Sequence, residues 1–146
     1  MYDYYCEKVR GTARFTSSAL ASLALLHVAW GLGSTFHFRT RRRLANVVVG
    51  SSKVPSPLSC FVVAGALGTG ASLVADAIPA RSWIRRISLV VMSAVFACRG
   101  ALGFAGKTSM ASPGSDSATF VRLDRRVYSP LCLLLAAGSI VVALGS

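Results

Sequence analysis

The chain has 146 residues, of which 53% are hydrophobic and only 14% charged, and its mean hydropathy is +0.58. Soluble domains carry about 25% charged residues and shorter apolar runs, so this composition argues against a water-soluble globular fold. The net charge of +11 raises nucleic-acid binding, but no basic soluble module is present to hold a nucleic acid, and no such partner is expected.

Four apolar stretches are read as transmembrane helices. They cover residues 15–36, 57–78, 87–105 and 128–144, and are 22, 22, 19 and 17 residues long. A helix needs about 20 residues to cross the hydrocarbon core, with about 17 the lower limit. Soluble helices show a polar face at helical spacing, and these four are apolar or small all round. The first stretch, FTSSALASLALLHVAWGLGSTF, is too long for a signal core. It is followed by STFHFRTRRR rather than a small-residue cleavage site.

The loop after the first span, residues 37–56, carries Arg39, Arg41, Arg42, Arg43 and Lys53. Its RRRLANVVVGSS segment is able to form a short amphipathic piece on the membrane surface. The second span holds Gly65, Gly68, Gly70 and Ser72, small residues that let helix backbones approach in lipid. The loop at 79–86 is short, so the second and third helices are expected to be antiparallel neighbours. The third span holds Ala97, Gly100 and Gly103 at a spacing of three that Gly106 continues just past its end, and also one charge, Arg99. The next loop opens with GKTSMASPGSDSATF, flexible by its Ser, Gly and Pro content. It closes with VRLDRRVYSPLC, which is far less loop-like. The fourth span carries Cys132 and a run of small residues at 136–139. With no internal repeat, the expectation is one domain over residues 1–146. Its fold class is all-α, an integral membrane four-helix bundle.

Arginines flank every predicted span, where cations meet anionic headgroups at about 1 kcal/mol each. Membrane lipids, including anionic headgroups, are therefore expected partners, and the chain is placed in the cell membrane as a multi-pass protein. Orientation is not set. The N-terminal tail and second loop carry six Lys and Arg, and the first and third loops nine. That bias is too small for the positive-inside rule to decide. Cys6, Cys60, Cys98 and Cys132 form no C-x-x-C pair and read as small apolar residues. His27 and His37 have no ligand-spaced partners, so neither metal nor cofactor is expected.

Arg99 is the thirteenth residue of its 19-residue span. A charge at such depth costs about 2.5–3.5 kcal/mol on insertion scales and usually faces the bundle interior or a water-filled cavity. Snorkelling toward the headgroups is the alternative. Helices alternate in direction, so the first and third loops share one face. His27 and Arg99 both lie past mid-span toward that face, where His37, Asp124 and Tyr128 also belong. Trp30 follows His27 on about the same helical side. Asp76 lies toward the opposite face and is expected to pair with Arg81, Arg85 or Arg86. His27, Trp30, His37, Arg99, Asp124 and Tyr128 are thus the candidate ligand-binding residues. They imply either a pocket for an anionic or polar headgroup with Arg99 as charge partner, or a structural Arg99–Asp124 lock.

HVAWGLG in the first span, CRGALGF in the third and LDRRVYSPLC entering the fourth resemble a family of small bacterial four-span membrane proteins known as a domain of unknown function. The matching positions are His27, Trp30 and Gly31, then Arg99 and Gly100, then Asp124 and Tyr128 through Cys132. The resemblance implies a fold and no reaction. Two function classes remain. One is a non-enzymatic accessory subunit or lipid-binding or hydrophobic-ligand protein, able to self-associate or join a partner membrane protein. The other is a small transporter or membrane enzyme using His27, Arg99 and Asp124. A small multidrug exporter would need an acidic residue in the first span, which has none.

Overall fold

The structure is a computed structural model and describes residues 2–36, 39–50, 56–111 and 117–145. All regular structure among the described residues is helical. The long elements are α1 (Tyr2–Gly31), α3 (Pro57–Val74), α4 (Ser82–Phe104) and α7 (Ser129–Leu144). Short helices α2 (Arg41–Leu44), α5 (Thr108–Ala111) and α6 (Ala118–Leu123) lie between them. Two wide-turn π segments, Ala45–Val49 and Asp124–Tyr128, extend α2 and join α6 to α7.

Three helices stop at the same device. Gly33 (φ 91°), Asp76 (φ 58°) and Gly106 (φ 68°) adopt the left-handed conformation just beyond α1, α3 and α4. In each case the next N–H reaches back five residues: Ser34 to the Ala29 carbonyl at 2.9 Å, Ala77 to Ser72 at 2.9 Å and Lys107 to Leu102 at 2.9 Å. This motif satisfies carbonyls that the helix end leaves free. It ends α1 and α3 short of the apolar runs that predicted spans to residues 36 and 78. Hydropathy continues past these points while the backbone has already turned.

The other boundaries shift for equally local reasons. Ser56 caps α3 by accepting from Ser59 N–H at 3.1 Å, ahead of Pro57 in the first turn. α4 begins at Ser82, five residues before the predicted start, so Arg85 and Arg86 are helical. The last helix runs on from Ala118 to Leu144 without a break. Pro130, just inside α7, has no N–H for the Arg126 carbonyl and its ring crowds that carbonyl. The π segment immediately before it widens the turn there, and Ser129 N–H bonds instead to the Asp124 carbonyl.

The long helices alternate in direction. Gly31 of α1 lies against Cys60 and Phe61 at the start of α3, while Leu20 of α1 lies near Gly70, further along α3. Gly100 and Gly103 of α4 meet Ser129 at the start of α7, while Ser93 Oγ donates to the Ala136 carbonyl at 2.9 Å. Thr16 of α1, almost wholly buried, packs into the gap left by Gly138 of α7. α1 packs most broadly on α3, and α4 on α7; α1 on α7 and α3 on α4 are narrower contacts. The short connection does make α3 and α4 neighbours. However, a groove of about 730 Å³ runs between them, so their interface is not a broad one. One hydrophobic cluster draws on all four: Leu20, Ala71, Val74, Leu89, Leu135, Val142 and Ala143.

Three helices among the described residues are long and apolar enough to cross a membrane: Pro57–Val74, Ser82–Phe104 and Ala118–Leu144. α1 is long enough but falls short in apolarity, because any 18-residue stretch of it includes Arg14, and Thr16, Ser17, Ser18, Ser22 and His27 interrupt its leucines and alanines. The outer surfaces are nevertheless apolar on every long helix. Leu25, Val62, Val95 and Leu134, one from each, are all more than half exposed.

Candidate functional site

The site is built around Asp124, the first residue of the second π segment, whose side chain is buried. Arg99 comes to it from α4 as a two-pronged donor: Nη2 to Oδ1 at 2.8 Å and Nη1 to Oδ2 at 3.3 Å. Two buried hydroxyls complete the carboxylate. Thr108 of α5 donates to Oδ2, and Ser129 Oγ to Oδ1 at 3.4 Å. Ionised carboxylates and guanidinium groups form short, charge-assisted bonds in this parallel arrangement. A buried charge needs such pairing, since alone it would lose its water without compensation.

Local structure explains why these groups can meet. Residues five apart on an α-helix point about 140° apart. Asp124 and Ser129 share a side because the π segment between them has a wider turn. Gly103 gives α4 the clearance to approach. A Cβ there would overlap the Ser129 hydroxyl and come within 2.8 Å of Asp124 Oδ2 and 2.9 Å of Arg99 Nη1. At Gly100 a Cβ would press on Leu133 at 2.7 Å. Arg125 lies over Gly106, at the C-terminal end of α4, where the helix dipole favours a cation.

Beside this lock lies a cavity of about 480 Å³, within the range of small-molecule pockets. Leu23, Leu26, His27 and Trp30 come from α1, and Val63 and Leu67 from α3. Phe96 and Arg99 come from α4, and Val127, Tyr128, Leu131, Cys132 and Leu135 from the last helix. Val48, from the first π segment, also lines it. That segment is held over the cavity from the opposite loop. Tyr128 Oη donates to the Val47 carbonyl at 3.3 Å, Ser117 Oγ to Asn46 at 3.1 Å, and Ser117 N–H to Gly50 at 3.2 Å. Phe120 stacks obliquely on Tyr128 with ring centres 6.0 Å apart.

On the cavity's α1 wall, His27 Nδ1 is 2.8 Å from the Leu23 carbonyl. A carbonyl only accepts, so this nitrogen carries the proton. The His27 and Trp30 rings meet edge to face, 5.1 Å apart. Trp30 Nε1 is shielded and has no hydrogen-bond partner among the described residues.

Of the residues expected to converge, His27, Trp30, Arg99 and Tyr128 line this one cavity, and Asp124 stands behind Arg99. His37 lies outside the described residues. Asp76 sits at the other end, 3.3 Å from Arg85 Nε, and the same nitrogen donates to the Leu73 carbonyl at 2.8 Å. Asp124 engages Arg99, Thr108 and Ser129 rather than His27. Neither Thr108 nor Ser129 was among the candidate ligand-binding residues: Ser129 stood only within the LDRRVYSPLC patch, and Thr108, 16 positions from Asp124, carries no local signal. Sequence reasoning also missed Val48, which nothing in an apolar loop segment marks as cavity wall. Among the described residues, no group of His, Cys, Asp and Glu is arranged to hold a metal ion.

Among the described residues, fold and site together define an all-helical protein with three helices of membrane-crossing length and apolarity, and a partly open cavity beside an ion pair whose carboxylate is buried. The chain belongs to the family described as "Protein of unknown function (DUF3995)", whose model matches residues 20–139. No curated protein matches the chain, and no solved structure does.

Proposed function

We propose that this protein is a multi-pass membrane four-helix bundle of the cell membrane that holds a lipid or another hydrophobic ligand in the cavity beside Arg99. In this reading it acts as a binder or accessory subunit rather than an enzyme. The cavity carries the proposal: about 480 Å³, apolar for most of its wall, with Trp30, His27, Arg99 and Tyr128 as its polar edges. Ligand pockets combine these features, an apolar enclosure with a few placed polar groups.

In this reading α1 is the fourth span. Its charge-free part, residues 15–31, is 17 residues, the lower limit of about 17 for crossing the hydrocarbon core. Four of its polar side chains are met within the helix itself. Thr12, Ser17 and Ser22 donate to the carbonyls of Lys8, Arg14 and Ser18, and His27 to that of Leu23. Polar groups satisfied in this way are tolerated in lipid. The arginines of the loops then rest among anionic headgroups, and the exposed apolar faces meet lipid, a second copy or a partner membrane protein. A transporter or enzyme reading would have Asp124 exchange protons with His27, whereas its carboxylate is engaged by Arg99, Thr108 and Ser129.

Native mass spectrometry of the full chain released from lipid nanodiscs tests the proposal. The expected result is a retained hydrophobic mass that is lost in Val63→Trp, a substitution that fills the cavity from a part-exposed position. A folded parent that carries no such mass, and takes up none when hydrophobic compounds are added, would refute it.

A further inference from the structure

The chemistry of the ligand's head can be narrowed further, an inference that rests on the cavity-binding reading above. Two observations bear on it. First, the one cation lining the cavity among the described residues, Arg99, is neutralised where it stands. Its two terminal nitrogens face a carboxylate with 1% of its side chain exposed, and the hydroxyls of Thr108 and Ser129 occupy the same carboxylate. An anionic head approaching Arg99 would also meet Asp124 within a few ångströms, and the opposed charges of the pair cancel most of its attraction. Second, Trp30 on the α1 wall has a shielded Nε1–H without a partner among the described residues. Buried donors are nearly always paired, and one left unpaired in an apolar setting is costly. Indole donates and never accepts, so the missing partner must be a hydrogen-bond acceptor.

We infer that the cavity takes an uncharged hydrogen-bond acceptor, such as a ketone, quinone or ester carbonyl on an apolar body, with its oxygen on Trp30 Nε1–H. The apolar body lies along Leu23, Leu67, Phe96, Leu131 and Leu135, half of the lining residues beyond Trp30, His27, Arg99 and Tyr128. Nε1 itself has almost no accessible surface, so the proposed bond requires the indole to turn about its side-chain bonds.

The test uses three probes of one chain length on the full protein in nanodiscs: methyl decyl ketone, dodecane and laurate. The protein carries Trp83→Phe, an exposed position, so that Trp30 gives the sole indole N–H signal in a ¹⁵N–¹H spectrum. Methyl decyl ketone is expected to bind and to move that proton resonance downfield, and dodecane to bind without moving it. Trp30→Phe keeps an aromatic ring and removes the donor. It should weaken the ketone about five- to tenfold more than it weakens dodecane, the value of one hydrogen bond.

If ketone and dodecane both bind but neither moves the indole proton, the acceptor inference falls while cavity binding stands. If laurate binds more tightly than the ketone, Arg99 is serving an anion and the uncharged head is overturned. If none of the three perturbs any resonance of a cavity residue, the cavity-binding reading fails as well.

Discussion

Arg99 and Asp124, 25 positions apart in the chain, face each other through two hydrogen bonds, the shorter 2.8 Å. This contact ties α4 to the lead into the last helix, and through Thr108 it ties in the short helix between them. An arginine deep in an apolar helix is therefore held by a carboxylate that is itself fully enclosed.

Removing one partner of this pair should cost far more than removing both. Arg99→Ala leaves Asp124 buried and uncompensated and is expected to destabilise the protein by about 3–5 kcal/mol. Arg99→Lys keeps the charge but loses the two-pronged geometry, so it should fall between parent and alanine. The double change Arg99→Leu with Asp124→Leu removes both charges and should melt closer to the parent than Arg99→Ala does. Thermal unfolding in detergent, read by circular dichroism, checks the ranking.

Gly103 should tolerate no side chain. Gly103→Ala drives a methyl group into the Ser129 hydroxyl and against Asp124 and Arg99. Overpacking of this kind costs about 1–3 kcal/mol. Adding Ser129→Ala removes the overlapping oxygen and should restore part of the lost melting temperature. A double variant less stable than Gly103→Ala alone would show that the clash is not with Ser129.

The α1–α7 contact offers a parallel test at another place. A Cβ on Gly138 would overlap Thr16 Oγ1, and both positions are buried. Gly138→Ala is expected to lower the melting point by separating the two helices, and Thr16→Gly should suppress that effect. The measurement is a double-mutant cycle, with a coupling energy of about 0.5–3 kcal/mol between contacting positions.

Tyr128→Phe should loosen the cover of the cavity while leaving its floor in place. The change removes the bond from Oη to the Val47 carbonyl and retains the ring against Phe120. A loss of about 1 kcal/mol is expected. Amide hydrogen exchange should accelerate across residues 44–50 and stay unchanged in α4 and at the centre of α7. Uniform acceleration over the whole chain would instead mean a global loss of stability.

Much of this protein was legible in its linear order. Apolarity and length are local properties, so the long helices could be located from residue types alone. Alternation of direction follows from connectivity. It placed His27, Trp30, His37, Arg99, Asp124 and Tyr128 toward one end, and Asp76 toward the other near Arg81, Arg85 and Arg86; His37 lies outside the described residues. What the residues by themselves left open was whether Arg99 reached the headgroups, a ligand or Asp124. That depends on helix rotation and on a clearance of one missing methyl group at Gly103.

Only the tertiary structure decided the rest. The helix ends at Gly33, Asp76 and Gly106 are turns in backbone angle, to which a hydropathy profile is blind. The widened turn before Pro130 brings Ser129 beneath Asp124, residues that a regular α-helix would point apart. Thr108, Ser129 and Val48 became parts of the site through contacts between distant segments. That the N–H of Trp30 has no partner among the described residues is a feature of packing alone. Residue type set which segments prefer lipid or a helical core to water. The ångström-scale fit between those segments determined which charges cancel and which donor remains without a partner.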